Sequence, residues 1–243
     1  MRVTAMRVVL VPLKTRPRQP KANLAELRSQ LRGLASFMPE LVVLPECTLT
    51  GYVFGEDDLQ RFAEPLGGQT TEVMAELARA LGAYLNFGFI ERTDNRFFDT
   101  SVLLNRSGQP VLVQRKLSEK PPFSAAKHQN AAETELGKLA MLICGDLFYE
   151  DALEQLPEDL DLLLVPLARS FAGTSPDPVR WQREERNEYR EGVKATGVTA
   201  FLVNALEVEG SNPSFGGAMV VSASGEVLAE TPHGSSEPLL WEA

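Results

Sequence analysis

Short apolar runs alternate with helix-spaced apolar positions along most of the chain. Residues 6–13 (MRVVLVPL) read as a buried strand, followed by a Pro/Arg-rich loop and a helix that opens near Asn23. That helix carries Leu24, Leu27, Leu31 and Leu34 at spacings of three and four, which makes one apolar face. Residues 41–44 form a second buried strand, 71–81 repeat the helical period, and 84–90 return to strand. Residues 101–105 and 111–114 read as a hairpin around Arg106-Ser107-Gly108. Two more strands, 139–144 and 162–166, flank a helix over about 150–156, and a long polar helix covers 178–195. The chain closes with strands at 200–204, 218–222 and 227–230, the last two joined by a turn at Ser224-Gly225. Strand–helix–strand units with continuous apolar strands indicate a layered α/β fold in place of an all-β sandwich. The hairpins make the sheet mixed. Neither an internal repeat nor a low-complexity linker divides the sequence, so residues 1–243 read as one domain.

Charge narrows the function classes. Lys and Arg number 24 against 33 Asp and Glu, a formal charge of −9, while the 44% apolar content is ordinary for a globular protein. An acid excess argues against nucleic acid as a partner, because phosphate binding needs a clustered basic surface. No apolar run approaches the roughly 20 residues that span a bilayer. The first apolar segment is too short, and too soon followed by Pro and Arg, for a signal peptide. Cys47 and Cys144 could pair only once, so a reduced, cytoplasmic protein is expected.

Three strands run directly into reactive side chains. Residues 41–44 lead to Pro45-Glu46, 111–114 to Arg115-Lys116, and 139–143 to Cys144-Gly145-Asp146. Ligand crevices of open α/β sheets lie outside strand C-termini, so a carboxylate, an ammonium and a thiol could share one site as base, oxyanion stabiliser and nucleophile. Each also has a plainer reading: Cys144 as a small core residue, Glu46 as a solvated loop charge, Lys116 with Arg115 as a surface pair. Spacing alone leaves both open.

The flanking residues add a resemblance. Leu44-Pro45-Glu46 with Thr50-Gly51-Tyr52, Arg115-Lys116-Leu117, and Leu142-Ile143-Cys144-Gly145-Asp146 resemble the three signature blocks of the nitrilase (carbon–nitrogen hydrolase) superfamily, in the order Glu, Lys, Cys. Residues 161–166 (DLLLVP), 181–204, and Gly216-Gly217-Ala218-Met219-Val220-Val221 with 225–229 extend the likeness nearly end to end. It implies an α/β fold of four layers, an αββα sandwich with mixed sheets, and a homodimer or larger assembly. It also implies a Glu-Lys-Cys triad: Cys144 as nucleophile, Glu46 as general base, Lys116 as oxyanion stabiliser helped by the Gly145 backbone N–H. No metal or organic cofactor is implied. Cys144-Gly145-Asp146 has the Cys-x-Asp form of the amide-cleaving branches, which favours hydrolysis of a small-molecule linear amide or N-carbamoyl compound over a nitrile. Asp146 then reads as an anchor for its loop.

Four departures from the family pattern stand out. A second glutamate and a Phe-x-Pro-Gly turn are usual between the Lys and Cys blocks; here Ala125-Ala126-Lys127-His128-Gln129-Asn130 replaces the turn, and Glu119, rather than Glu133, is the candidate second carboxylate. Gly145 stands where an aromatic is common, Asp99-Thr100-Ser101 where an Asn-Ser-Ala-like strand start is usual, and Ala218 where Ser is common. The altered Lys–Cys segment and Gly145 motivate an alternative: a nitrilase-fold binding or assembly subunit without turnover. Tyr52, Phe123, Phe148 and Arg169 are candidate substrate contacts, with core or rim packing as the competing reading. Cys47, adjacent to Glu46, is expected to be structural. His128 and His233 lack a strand to hold them in a Cys-His dyad, and metal spacings are absent. The charged run 180–190 reads as a solvated helix face.

Overall fold

The structure is a computed structural model that describes residues 6–171, 176–209 and 213–242. In chain order its strands are β1 (Arg7–Leu10), β2 (Lys14–Thr15), β3 (Leu41–Val43), β4 (Tyr84–Thr93), β5 (Arg96–Leu104), β6 (Pro110–Arg115) and β7 (Ala131–Thr134). They continue with β8 (Gly137–Met141), β9 (Leu162–Leu167), β10 (Thr199–Asn204), β11 (Leu206–Glu207), β12 (Ala218–Val221), β13 (Val227–Glu230) and β14 (Leu239–Glu242). The α-helices are α1 (Pro20–Leu34), α2 (Glu56–Phe62), α3 (Gln69–Leu81), α4 (Glu150–Leu153), α5 (Pro178–Arg180) and α6 (Arg186–Thr196).

Two six-stranded sheets form, in the orders β14-β1-β3-β4-β5-β6 and β13-β12-β10-β9-β8-β7. Both are mixed. In the first, β1, β3 and β4 run parallel while β14, β5 and β6 are antiparallel to their neighbours. In the second, β8, β9 and β10 are the parallel centre.

Strand periodicity explains how the layers stack. Successive side chains of a strand point to opposite faces. On β1, Val8 and Leu10 join Leu41 and Val43 in a cluster with Met141, Leu164, Phe201 and Val203 of the other sheet, so that cluster is the filling between the sheets. Val9 and Val42 face the other way, onto Leu27 and Leu31 of α1 and Met74 and Ala78 of α3. Across the molecule, Ala140, Leu163, Val165 and Leu202 pack on Ala152 of α4 and on Tyr189 and Val193 of α6. The result is helix, sheet, sheet, helix: the αββα sandwich expected from the sequence.

Two of the differences from the sequence pattern fall where polar residues are buried. β5 begins at Arg96, five residues before the apolar run suggested, because Asp99, Thr100 and Ser101 are strand residues with almost no exposure. The edge strand β7 and the closing strand β14 carry weak alternation and were not expected; β14 pairs antiparallel with β1. The long polar helix is interrupted: a π-helical turn, Trp181–Glu185, separates α5 from α6. It brings Glu185 inside, so the reading of 180–190 as a solvated face fails at that residue. Among the described residues, no helix is long and apolar enough to cross a membrane.

Candidate active site

The chain turns sharply after β3. Glu46 and Cys47 lie in a turn against β4, where Thr48 N–H donates to Gly88 O at 2.9 Å and Gly88 N–H donates to Thr48 Oγ1 at 3.2 Å. A Cβ on Gly88 would stand 2.6 Å from Cys47 N and 3.0 Å from the Glu46 Cα, so only glycine lets the turn sit this close. Lys116 follows β6 directly, and its N–H donates to Asp99 O at 2.9 Å. Cys144, after β8, opens a 3-10 turn, Cys144–Phe148, with a left-handed φ of 50°. A non-glycine residue held there is backbone strain of the kind that gathers at functional sites. The Asp146 carboxylate ties the last two segments together. It accepts from Leu117 N–H at 3.1 Å, Ser118 N–H at 2.8 Å and Ile143 N–H at 3.3 Å, the loop-anchoring place expected for it.

These ends converge. Lys116 Nζ lies 2.7 Å from Glu46 Oε1, 2.8 Å from Glu119 Oε1 and 3.5 Å from Asp99 Oδ2. The Tyr52 hydroxyl donates to Glu119 Oε1 at 2.8 Å, and the Tyr52 ring stands 5.2 Å from Nζ while stacking on Phe123. Oxygens of Glu46, Asp99 and Glu119 lie within 4.8 Å of one another, near enough to hold a divalent ion. The lysine ammonium already contacts all three, so this donor set is built around an organic cation.

Electrostatics sorts the groups. Burial works to raise the pKa of Glu46, but the Lys116 charge and hydrogen bonds from Asp99, Lys116 and Cys144 outweigh it and hold Glu46 below the ordinary carboxylate range. Burial likewise opposes the charge on Lys116, and the surrounding carboxylates overcome it, keeping the ammonium well above its usual range. The Cys144 thiol is pushed up to about 12, chiefly by burial and then by the negative Glu46. At neutral pH the floor therefore holds a charged Glu46 carboxylate, a charged lysine and a protonated thiol.

A pocket of about 520 Å³ opens above them, lined by Lys116, Glu119, Cys144, Gly145 and the candidate contacts Tyr52, Phe123, Phe148 and Arg169. Glu46 lies beneath this lining, almost fully buried. Phe148 is 52% exposed at the mouth, its ring 5.4 Å from Tyr189. Arg169 is held by Asn204 at the end of β10, which accepts from its N–H at 2.8 Å and donates to its carbonyl at 3.0 Å. Its guanidinium forks onto Glu185 at 2.6 and 3.1 Å, and Arg180 donates to the same carboxylate at 3.1 Å. A Cβ on Gly145 would stand 3.1 Å from Ser118 Oγ, so a side chain there would press on Ser118.

The remaining candidates lie elsewhere. Cys47 is sealed in an apolar cluster with Val53, Leu59, Ile90 and Phe123. It sits in its turn with a left-handed φ of 46° and does not line the pocket. His128 is exposed in a loop, and His233 stacks on Trp181 and accepts from Asp177 N–H at 3.1 Å; neither lines the pocket. Sequence reasoning missed Asp99, Ser118, Glu185, Tyr189 and Gly88. The available signal for Asp99 was three polar residues inside an otherwise apolar strand.

Comparison with known proteins agrees on family. The profile of the family described as Carbon-nitrogen hydrolase matches residues 7–240. A Pseudomonas protegens protein named Hydrolase in pqqF 5'region is 30% identical over 174 residues, covering 68% of this chain and 60% of that protein's length. Omega-amidase NIT2 of Danio rerio is 25% identical over 234 residues, covering 90% of this chain and 81% of its own. Among solved structures, a carbon-nitrogen hydrolase from Helicobacter pylori G27 superposes with a TM-score of 0.86 at 20% identity, covering 98% of this chain and 88% of that one.

Proposed function

The chain belongs to the carbon–nitrogen hydrolase family, and from that premise we propose that it cleaves the C–N bond of a small linear amide or N-carbamoyl compound through a cysteine thioester. The observation that carries this reading is the Lys116 ammonium, 2.7 Å from Glu46, at the floor of a pocket lined by Cys144.

Each group has a step suited to its state. A thiol with a pKa near 12 is a poor nucleophile alone, so it needs a base beside it. Glu46, ionised and interacting with the Cys144 thiol, takes the thiol proton as Sγ attacks the carbonyl carbon. Positioned proton transfer of this kind is worth roughly 10²–10⁴-fold. The carbonyl oxygen becomes negative and is received by Lys116 Nζ and the Gly145 N–H, donors fixed before the charge arrives. The C–N bond then breaks, and the leaving nitrogen carries off the proton held by Glu46. Water next attacks the thioester, giving its proton to Glu46. The C–S bond breaks, the thiolate recovers that proton, and the acid is released. Glu119, paired with Lys116 and Tyr52, fixes the ammonium and faces the pocket as the second carboxylate.

The test needs no prior substrate. Alkylation by a small thiol electrophile, followed by peptide mapping between about pH 5 and about pH 9, reads whether Cys144 is activated. Cys144 is expected to react far faster than Cys47 and to slow sharply in Glu46→Gln. A panel of amides and N-carbamoyl compounds, scored for ammonia or amine release against Cys144→Ala, then identifies turnover. Equal labelling of the two cysteines in the folded protein, with no release from any panel member, would sink the reading and favour the binding-subunit alternative.

A further inference from the structure

The floor of the pocket holds one more buried carboxylate than its cation can serve. Asp99 projects from β5 with its side chain fully buried, so water cannot share its charge. Several of the elements around it present titratable groups. Glu46 and Cys47 come from the turn after β3, Lys116 and Glu119 from the segment after β6, Cys144 from the 3-10 turn, and Tyr52 from the loop beyond Glu46. Lys116 is the only cation in that set. The nearby guanidinium of Arg115 is committed to Glu91 and stacked on Phe98. With Glu46, Asp99 and Glu119 all ionised, three negative charges would face one positive charge in a dry site. Uncompensated buried charge is costly enough that one group takes a proton instead.

Contact geometry selects which one. Lys116 Nζ reaches Glu46 and Glu119 at 2.7 and 2.8 Å, but Asp99 only at 3.5 Å. Glu119 has the Tyr52 hydroxyl as a second donor, whereas among the described residues the other oxygen of Asp99 receives only the Cys47 thiol, at 3.8 Å. Asp99 is therefore the carboxylate least supported as an anion. One oxygen of Asp99 lies within 4.8 Å of one oxygen of Glu46, so the two carboxyls are direct neighbours.

We propose that Asp99 is a neutral carboxylic acid at physiological pH, donating its proton to Glu46 and acting as a positioning residue for the base. This rests on the triad reading given above. The consequence reaches the lysine. An ammonium has three N–H donors. Two are spent on Glu46 and Glu119; an ionised Asp99 would claim the third, while a neutral one leaves it for the developing oxyanion. A neutral Asp99 also removes a negative charge from beside the position where the carbonyl oxygen acquires one. Burial, followed by the charge of Glu46, holds the Asp99 carboxyl well above its usual range, in agreement with this arrangement. A carboxylic acid kept neutral by its site so that it can donate is known chemistry for an active site.

Two variants and one spectrum test it. Asp99→Asn keeps the shape and the donor without the charge, and is expected to hold kcat/KM within about threefold, whereas Asp99→Ala loses at least about tenfold in kcat with KM little changed. In the wild type, activity falls as pH rises through the Asp99 pKa; in Asp99→Asn that alkaline limb moves to higher pH. The infrared difference spectrum of wild type minus Asp99→Asn, taken at neutral pH without substrate, is expected to show the C=O stretch of a protonated carboxylic acid. An Asp99→Asn protein that melts like wild type yet loses about a hundredfold in kcat, or a spectrum with only ionised-carboxylate bands, would show Asp99 to be an anionic counter-ion to Lys116 and overturn the proposal. The spectrum reads Asp99 without turnover, so it separates failure of this inference from failure of the triad reading, which Cys144→Ala and the substrate panel test.

Discussion

The floor and the side wall of the pocket are both clusters of buried opposite charge, built with inverse stoichiometry. On the floor, three carboxylates surround one ammonium, and all four side chains are nearly inaccessible. On the wall, two guanidiniums surround one carboxylate: Glu185 is 5% exposed, but Arg169 and Arg180 are 39% and 36% exposed. Water solvates the excess charge of the wall and reaches little of the floor, least of all Asp99. The wall therefore needs only hydrogen-bond geometry, while the floor must settle its charge by placing a proton. That is why proton chemistry belongs to the floor, and why the wall is suited to shaping what enters.

The largest effects should come from the floor. Cys144→Ala removes the proposed nucleophile and is expected to lower turnover by about 10⁴-fold or more, with melting unchanged, as read by steady-state assay on the first substrate found. Glu46→Gln keeps the shape but cannot accept a proton, and a loss of roughly 10²–10⁴-fold in kcat follows. Lys116→Met preserves the aliphatic stem and strips the charge, leaving the carboxylates unpaired. Denaturation at neutral pH should show about 3–5 kcal/mol of lost stability, the usual result of removing one partner from a buried ion pair. The same operation on the wall should be far milder. Glu185→Gln leaves two guanidiniums that solvent can reach, so about 1 kcal/mol is expected, together with a change in KM larger than that in kcat. A Glu185→Gln protein as destabilised as Lys116→Met would erase the distinction between the two clusters.

Between these extremes lies the backbone that brings floor residues together. Gly88→Ala would force a methyl to within 2.6 Å of the Cys47 nitrogen. The turn carrying Glu46 must then shift, which should cost about 1–3 kcal/mol by thermal melting, as overpacking usually does, and slow Cys144 alkylation as well. Loss of stability without loss of alkylation would mean that Glu46 is positioned independently of β4.

How far the sequence reveals these clusters follows from how each residue sits in its pattern. Glu46, Lys116 and Cys144 each follow an apolar run long enough to read as a strand, and strand ends are where an α/β sheet exposes chemistry. Glu119 is legible because it comes three residues after Lys116. Asp99 is hidden by its neighbours: the apolar run marks the strand only from about Ser101, and the burial of polar Asp99 and Thr100 that carries β5 further back leaves no apolar signal. Glu185 is hidden by a break in periodicity. The π-helical turn at Trp181–Glu185 offsets the helix, so a polar sequence with no continuous apolar stripe still drives one acid inward. Gly88 is invisible because its role is an absent side chain against a turn 40 residues earlier. The layered fold is more legible than the site because burying alternate strand residues leaves a repeating mark, whereas a buried charge leaves a mark only where it interrupts one.

The smallest effect tests the floor's charge count through stability alone. Glu46 and Asp99 have pKa values displaced in opposite directions, so they make opposite contributions to the pH dependence of folding. Glu46 is lowered: its contribution is present above the ordinary carboxylate range and disappears as pH falls through its folded value. Asp99 is raised: below the ordinary aspartate range, near pH 4, it costs nothing. Above that range the unfolded chain gives up the proton that the folded protein retains, and the cost grows until pH reaches the folded value. Asp99→Asn abolishes the second contribution and leaves the first. Thermal melts from about pH 4 to about pH 7 should therefore show the variant gaining on wild type as pH rises, with the advantage greatest at the neutral end. A constant difference between Asp99→Asn and wild type across that range would mean that Asp99 ionises in the folded protein as it does in the unfolded chain, with all three carboxylates of the floor sharing one lysine.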